Sequence, residues 1–222
     1  MATYDVSSRS HASEIATNSV LRNTYMLLGL TLLFSAGAAL FSMTTNLHMN
    51  FLVMLGGMFG LMFLTQALRN SVWGIVSTFA FTGFMGLTLG PVLNSVIHGF
   101  SNGSQIVLTS LGATGFIFMA LSAYVLTSRK DFSYLGGFLF AAISVAFIAG
   151  IAAVIFNMPV LSLFISGAFA LVACGYILFT TSQIIQGGER NYIMATISLY
   201  VAIFNLFVSL LRILSAFAGN RD

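Results

Sequence analysis

Asp5, Glu14, Asp131, Glu189 and Asp222 are the only acids in 222 residues, and each stands in a polar terminus or a short charged connection. A carboxylate proton relay or an intramembrane aspartyl protease needs ionisable groups at membrane depth, so neither chemistry is expected. No helix carries the HExxH pattern of a zinc protease. His11, His48 and His98 fall in a tail and two connections without ligand spacing, so no metal centre is expected. Ser95 and His98 lie close in sequence, but no third orienting group or oxyanion signature accompanies them. Cys174 is the single cysteine and sits in an apolar run, which excludes an intramolecular disulfide and leaves it as a small packing residue. The glycines are dispersed and form no phosphate loop. No catalytic residue, cofactor or nucleic-acid partner is expected.

The elements that position these residues are membrane helices. The chain is 58% hydrophobic and 6% charged, with mean hydropathy +0.99, against about 25% charge in soluble domains. An all-α integral membrane protein follows. A pI near 9.3 rests on eight basic residues scattered without a basic run, which reflects topology in a bilayer rather than nucleic-acid binding.

The last span, Asn191 to Arg212, is long enough to cross a bilayer. Asn191, Ala195, Ser198, Ala202, Asn205, Ser209 and Arg212 recur at steps of four and three, so they stack on one small, polar face of a helix. Such a face suits close packing against other helices. Alternatively, Ser198, Asn205 and Ser209 line a hydrated path, because polar groups at membrane depth need a partner or water. Both readings stay open on the sequence.

Residues 1–24 are polar and poor in apolar groups, which predicts a flexible cytoplasmic tail. Residues 25–217 divide into seven apolar spans, near 25–43, 51–68, 72–97, 106–127, 132–156, 160–185 and 191–212, followed by a short tail at 218–222. Ala36-Gly37-Ala38 has the form of a signal-peptidase site, but the full-length apolar run around it reads as a retained span. In the second span Gly56 and Gly60 form a GxxxG step that permits close helix approach. In the third, Pro91 follows Gly90, lacks an amide hydrogen and crowds the Leu87 carbonyl, which predicts a kink at Gly90-Pro91. Ala146 and Gly150 in the fifth span, and Ser166, Ala170 and Cys174 in the sixth, repeat the small-residue pattern. Asn157-Met158-Pro159 separates those two spans.

Seven crossings place Arg9, Arg22, Arg69, Arg129, Lys130 and Arg190 on one side and only Arg212 and Arg221 on the other. The positive-inside rule then puts the N-terminus in the cytoplasm and the C-terminus across the membrane. Arg212 can snorkel to that far interface.

Val20-Leu21-Arg22-Asn23-Thr24-Tyr25, the segment Phe81 to Leu93, the segment Ser122 to Asp131, and Ile184-Ile185-Gln186-Gly187-Gly188-Glu189 come in an order that resembles the Bax inhibitor-1 family, nearest its bacterial YccA-like subgroup. The resemblance runs from about Val20 to Leu214. It implies a seven-helix bundle with the seventh helix at its centre, in the bacterial inner membrane. It also implies a regulatory protein that binds the membrane-embedded ATP-dependent protease FtsH and restrains it, with the polar stretch Ala2 to Ser19 as a handle for the protease. Some members of the family are similar to pH-sensitive calcium leak channels with paired aspartates in the sixth and seventh helices. Those positions are Thr180 and Ala202 here. Both carboxylates are missing, which removes the acidic oxygens calcium favours and the shared proton of a carboxylate pair.

Overall fold

The computed structural model describes residues 3–47, 49–156 and 158–219. His48, Asn157, Ala2, Arg221 and Asp222, placed above in connections or tails, lie outside them. Seven helices follow in order: α1 (Thr3–Thr45), α2 (Phe51–Leu68), α3 (Trp73–Gly99), α4 (Gly103–Ser128), α5 (Leu135–Ile155), α6 (Pro159–Ile185) and α7 (Tyr192–Gly219). Among the described residues there is no strand. Six of the helices are long and apolar enough to cross a membrane, and α2 is a shorter apolar helix.

The first helix begins earlier than the apolar run alone suggests. Residues 3–24, read from composition as a flexible tail, are helical and continuous with the apolar part of α1, whose membrane-length stretch runs Thr17–Thr45. Once a helix is nucleated, each further residue adds a hydrogen bond for one residue fixed, so the polar end extends an existing helix.

Large apolar groups cover the outside. Leu33, Phe116, Phe140 and Leu171 are each more than two-thirds exposed, as suits lipid contact and as a water-soluble surface seldom allows over so many helices. The inside is made of small residues, hydroxyls and three apolar clusters. One joins Leu28, Phe81, Ile184, Ile193 and Tyr200. A second joins Ala39, Leu93, Ile106, Phe207 and Leu211. The third joins Ala173, Ile177, Ala202 and Leu206. Each contains residues of α7, and α7 packs on α1, α3, α4 and α6.

The closest seam lies between α1 and α3. A Cβ added at Gly83 would meet the Phe34 ring at 2.5 Å, one at Gly86 would strike the Ser35 carbonyl, and one at Gly90 would strike Ser42. These pairings ascend together in both helices, so α1 and α3 run parallel. Asn94 continues the register by donating to the Met43 carbonyl at 3.0 Å and to Asn46 Oδ1 at 3.2 Å. The GxxxG step of α2 is not used in this way: nothing lies within 4 Å of a Cβ at Gly56 or Gly60, whereas Gly57 accepts the Phe84 ring. Spacing sets up a groove, but the neighbouring helix decides which face of α2 is covered.

α5 meets only α6 closely. Its buried stripe is Leu139, Ala146 and Ala153, seven residues apart, a spacing that stays on one helical face. Gly175 of α6 leaves room for Leu139 and Gly136 of α5 for Phe179.

Candidate functional site

The interior polar residues among those described are all serines and threonines. Most return their hydroxyl to a carbonyl one turn earlier: Thr78 to Gly74, Thr82 to Thr78, Ser110 to Ile106 and Thr114 to Ser110. That local bond satisfies a hydroxyl at membrane depth without a partner from another helix.

Two of the sites that break the local pattern tie α1 to its neighbours. Tyr200 of α7 is 1% exposed and its ring stands edge-on to Phe81. Its hydroxyl donates to the Thr82 carbonyl of α3 at 3.1 Å and lies 2.6 Å from Ser35 Oγ of α1. A phenol has one hydrogen, so Ser35 is the donor in the second bond. Tyr200 thus joins three helices at one oxygen. The second site is Ser42, whose Oγ donates to the Leu87 carbonyl at 2.8 Å. Leu87 is the residue whose carbonyl Pro91 leaves without an internal amide, and α3 stays helical through Pro91 from Trp73 to Gly99. Neither Tyr200 nor Ser42 stood out from spacing. The proline did announce that Leu87 would need a donor, but not which helix would supply it.

The small face of α7 separates by depth. Asn191 caps the helix, accepting from Ile193 and Met194 amides at 3.0 and 3.2 Å, and donates through Nδ2 to Arg69 O and Asn70 Oδ1 in the α2–α3 turn. Ala195 is fully buried. Ser198, Ala202 and Asn205 line a cavity of about 210 Å³ with Ala173 and Tyr176 of α6, Ile143 of α5 and Met62 of α2. Most of its walls are apolar, and Asn205 Nδ2 returns to the Val201 carbonyl at 2.8 Å. Ser209 is buried elsewhere, and Arg212 is exposed near the end of the helix. Thr180 is 5% exposed, one turn beyond Tyr176, and is not among the residues lining that cavity.

The residues weighed for catalysis do not converge. Ser95 Oγ donates to Val92 O at 2.7 Å and His98 Nδ1 meets Asn94 O at 3.0 Å, so each is engaged by its own helix. Cys174 is half-buried on α6 beside the Ala202 cluster. Among the described residues no group of three His, Cys, Asp or Glu could hold a metal.

The loops at the other end of α7 from Arg212 are tightly tied. Ser182 accepts from the Phe132 amide at 2.9 Å, Gln183 donates to Ser133 Oγ at 2.6 Å and Gln186 to the Arg129 carbonyl at 3.0 Å. Asp131 accepts from the Ser133 amide at 2.8 Å. The Ser133 hydroxyl and amide hold the Asp131 carboxyl below its ordinary range, with a smaller contribution from Ser182.

A bundle of membrane-length helices, apolar outside and packed inside with glycines and hydroxyls that mostly bond within their own helices, is an integral membrane protein. The profile described as "Inhibitor of apoptosis-promoting Bax1" matches residues 17–219, and the chain belongs to that family. It is 50% identical over 209 residues, 94% of each chain, to a protein of Escherichia coli (strain K12) named "Modulator of FtsH protease YccA". A protein of Escherichia coli O6:H1 named "Inner membrane protein YccA" matches to the same extent, at 50% identity over 94% of each chain. An uncharacterized protein of Pseudomonas aeruginosa is 51% identical over 210 residues, again 94% of both chains.

Proposed function

We propose that this chain is a non-enzymatic regulator of the bacterial inner membrane that binds an FtsH-type ATP-dependent protease and restrains it. The observation that carries this reading is the 50% identity, over 94% of both chains, to a protein named as a modulator of that protease. The mechanism follows from α1. Its polar start, Ala2 to Ser19, is the handle, because a polar helical end is marginal in water and costs a processive protease little to unwind. Further pulling on α1 meets the glycine seam with α3, the Ser42–Leu87 bond and the Ser35–Tyr200 bond. A chain that is seized easily and extracted slowly occupies the protease and spares other substrates.

In this reading α7 is the central helix, supported by its share in every apolar cluster. All seven helices cross, with the N-terminus cytoplasmic and the C-terminus periplasmic. The test is co-purification with FtsH from native membranes, and turnover of the full chain against one lacking residues 2–19. The full chain should recover the protease, and the shortened chain should be turned over more slowly. Equal turnover would sink the handle.

A cation leak is the second reading, and its support is the cavity that holds Ser198 and Asn205 beside Ala202. With no carboxylate at Thr180 or Ala202 it lacks the pair that would bind and titrate. Liposomes containing the wild-type chain should not pass calcium. Flux from the wild type would favour the channel over the regulator.

A further inference from the structure

Near the end of the bundle where α7 finishes, a pocket of about 310 Å³ opens between the last turns of α3, the first turns of α6 and the last turns of α7. Ser95, Ser162, Ser166, Arg212 and Ser215 bring four hydroxyls and one guanidinium to it from three helices. The remaining wall is apolar and includes Val96, Leu163 and Leu211. Such a volume is about ten times the share of one liquid water, too large for a single bridging solvent molecule.

Three of these groups, the Arg212 guanidinium and the Ser215 and Ser162 hydroxyls, form no hydrogen bond among the described residues. Arg212 is exposed and forms no hydrogen bond or ion pair among the described residues. Ser215 Oγ is buried and has no hydrogen-bond partner among the described residues, an arrangement that ordinarily destabilises a fold. Ser95 and Ser166 spend their hydrogens on Val92 O and Ser162 O. The donors left without a protein acceptor are therefore the Arg212 guanidinium and the Ser215 and Ser162 hydroxyls, all on the wall of one pocket, a set that suits a ligand that accepts.

The local charge narrows the ligand. Asp131 and Glu189, the carboxylates with described side chains, are both in loops at the opposite end, where they accept from the Ser133 and Asn191 amides. Nothing acidic among the described residues neutralises Arg212 or would pair with an amine. A guanidinium fork suits the oxygens of a phosphate group. The apolar wall beside it suits a hydrocarbon chain, so a phosphate and an acyl chain would be held side by side.

We propose that this pocket binds a phosphate group carried by an anionic glycerophospholipid, with Arg212 and Ser215 donating to the phosphate oxygens and an acyl chain lying on the apolar wall. A headgroup without an amine fits better than a zwitterionic one, since the pocket offers no partner for the amine. The bound lipid splints α3, α6 and α7 at their least charged end.

The full chain, purified in detergent and stripped of lipid, is titrated with dioleoylphosphatidylglycerol, dioleoylphosphatidylethanolamine or inorganic phosphate and followed by native mass spectrometry and thermal unfolding. Phosphatidylglycerol should be retained as a one-to-one adduct and raise the unfolding midpoint, more strongly than phosphatidylethanolamine. Arg212→Gln should weaken retention about tenfold or more, as loss of one charge-assisted contact predicts, and Arg212→Lys should recover part of it. Ser215→Ala should weaken retention while leaving the lipid-free midpoint unchanged or higher, because it deletes an unpartnered hydroxyl. Equal retention of phosphatidylglycerol by the wild type, Arg212→Gln and Ser215→Ala would overturn the site. A shift produced by inorganic phosphate alone, lost in Arg212→Gln and not matched by lipid, would overturn the lipid as its source.

Discussion

Ser42 answers a deficit that Pro91 creates. Without a proline amide the Leu87 carbonyl would face the inside of a membrane bundle unpaired, and Ser42 Oγ reaches it at 2.8 Å. Ser42→Ala should therefore cost about 1–3 kcal/mol, the price of a buried acceptor left without its donor. In a Pro91→Ala background the helix regains its own amide, so the same substitution should cost much less. A double-mutant cycle read by unfolding in bicelles checks this, and additive effects would mean that the serine serves only to fill space. Asp131 makes a second residue-scale prediction, this time for pH. Its carboxyl is held below the ordinary value by Ser133, so the bonds favour the folded loop above the unfolded carboxylate range near 3.9. That stabilisation is lost as pH falls through the lowered folded value. Hydrogen exchange at the Ser133 amide, corrected for its intrinsic rate, should lose protection only in that acid window, and Asp131→Asn should lose it at neutral pH.

At the scale of elements, α1 and α3 are held together by contact more than by hydrogen bonds. Tyr200→Phe removes the oxygen shared with Ser35 and Thr82, but interhelical bonds of this kind average about 0.6 kcal/mol in membranes and reach about 1.7. Gly86→Ala would drive a methyl into the Ser35 carbonyl, which is backbone and cannot turn aside, and overpacking typically costs about 1–3 kcal/mol. Gly86→Ala should thus be the more damaging change, whereas Gly56→Ala, with open space around it, should be close to neutral. Thermal unfolding of the three variants ranks them, and a neutral Gly86→Ala would contradict the seam. The same comparison shows what the sequence could reveal. Apolar runs located α2 to α6 to within a few residues, as for Phe51–Leu68, because lipid exposure demands uninterrupted apolar length, but missed the polar start of α1 and the last turns of α7. The pair Gly86/Gly90 and the pair Gly56/Gly60 share one spacing, yet only the first is covered, because α1 presents Ser35 and Ser42 to it. On α7 the seven-residue face was legible as a line. Its division into the Asn191 cap, the cavity at Ser198 and Asn205, and the pocket at Arg212 was not, since each depth meets a different helix. The loss of both family acids at Thr180 and Ala202 was plain from residue identity alone.

For the whole molecule, the number of crossings decides which side each loop faces, and α2 is the element in question. Its 18 residues span about 27 Å as a helix, slightly short of a hydrocarbon core of about 30 Å. Geometry at its two ends argues that it crosses nonetheless. α1 finishes beside the C-terminal part of α3, where Asn94 meets Met43 and Asn46, while α2 must deliver the chain to Trp73 at the other end of the same helix. α3 is itself of membrane length, so α2 and its flanking turns must run back along it, and a mismatch of a few ångströms is absorbed by local thinning at modest cost. Arg69, Arg129, Lys130 and Arg190 then share one end of the bundle and Arg212 lies near the other, the asymmetry on which the proposed orientation rests. Because Cys174 is the only cysteine, a Cys174→Ser chain carrying either Thr45→Cys or Val72→Cys reads the crossing directly. With an impermeant maleimide added to intact cells, Thr45→Cys should label and Val72→Cys should label only after the membrane is opened. Labelling of both from the same side would leave α2 lying within one leaflet, reduce the crossings to six, and put both termini on one side of the membrane.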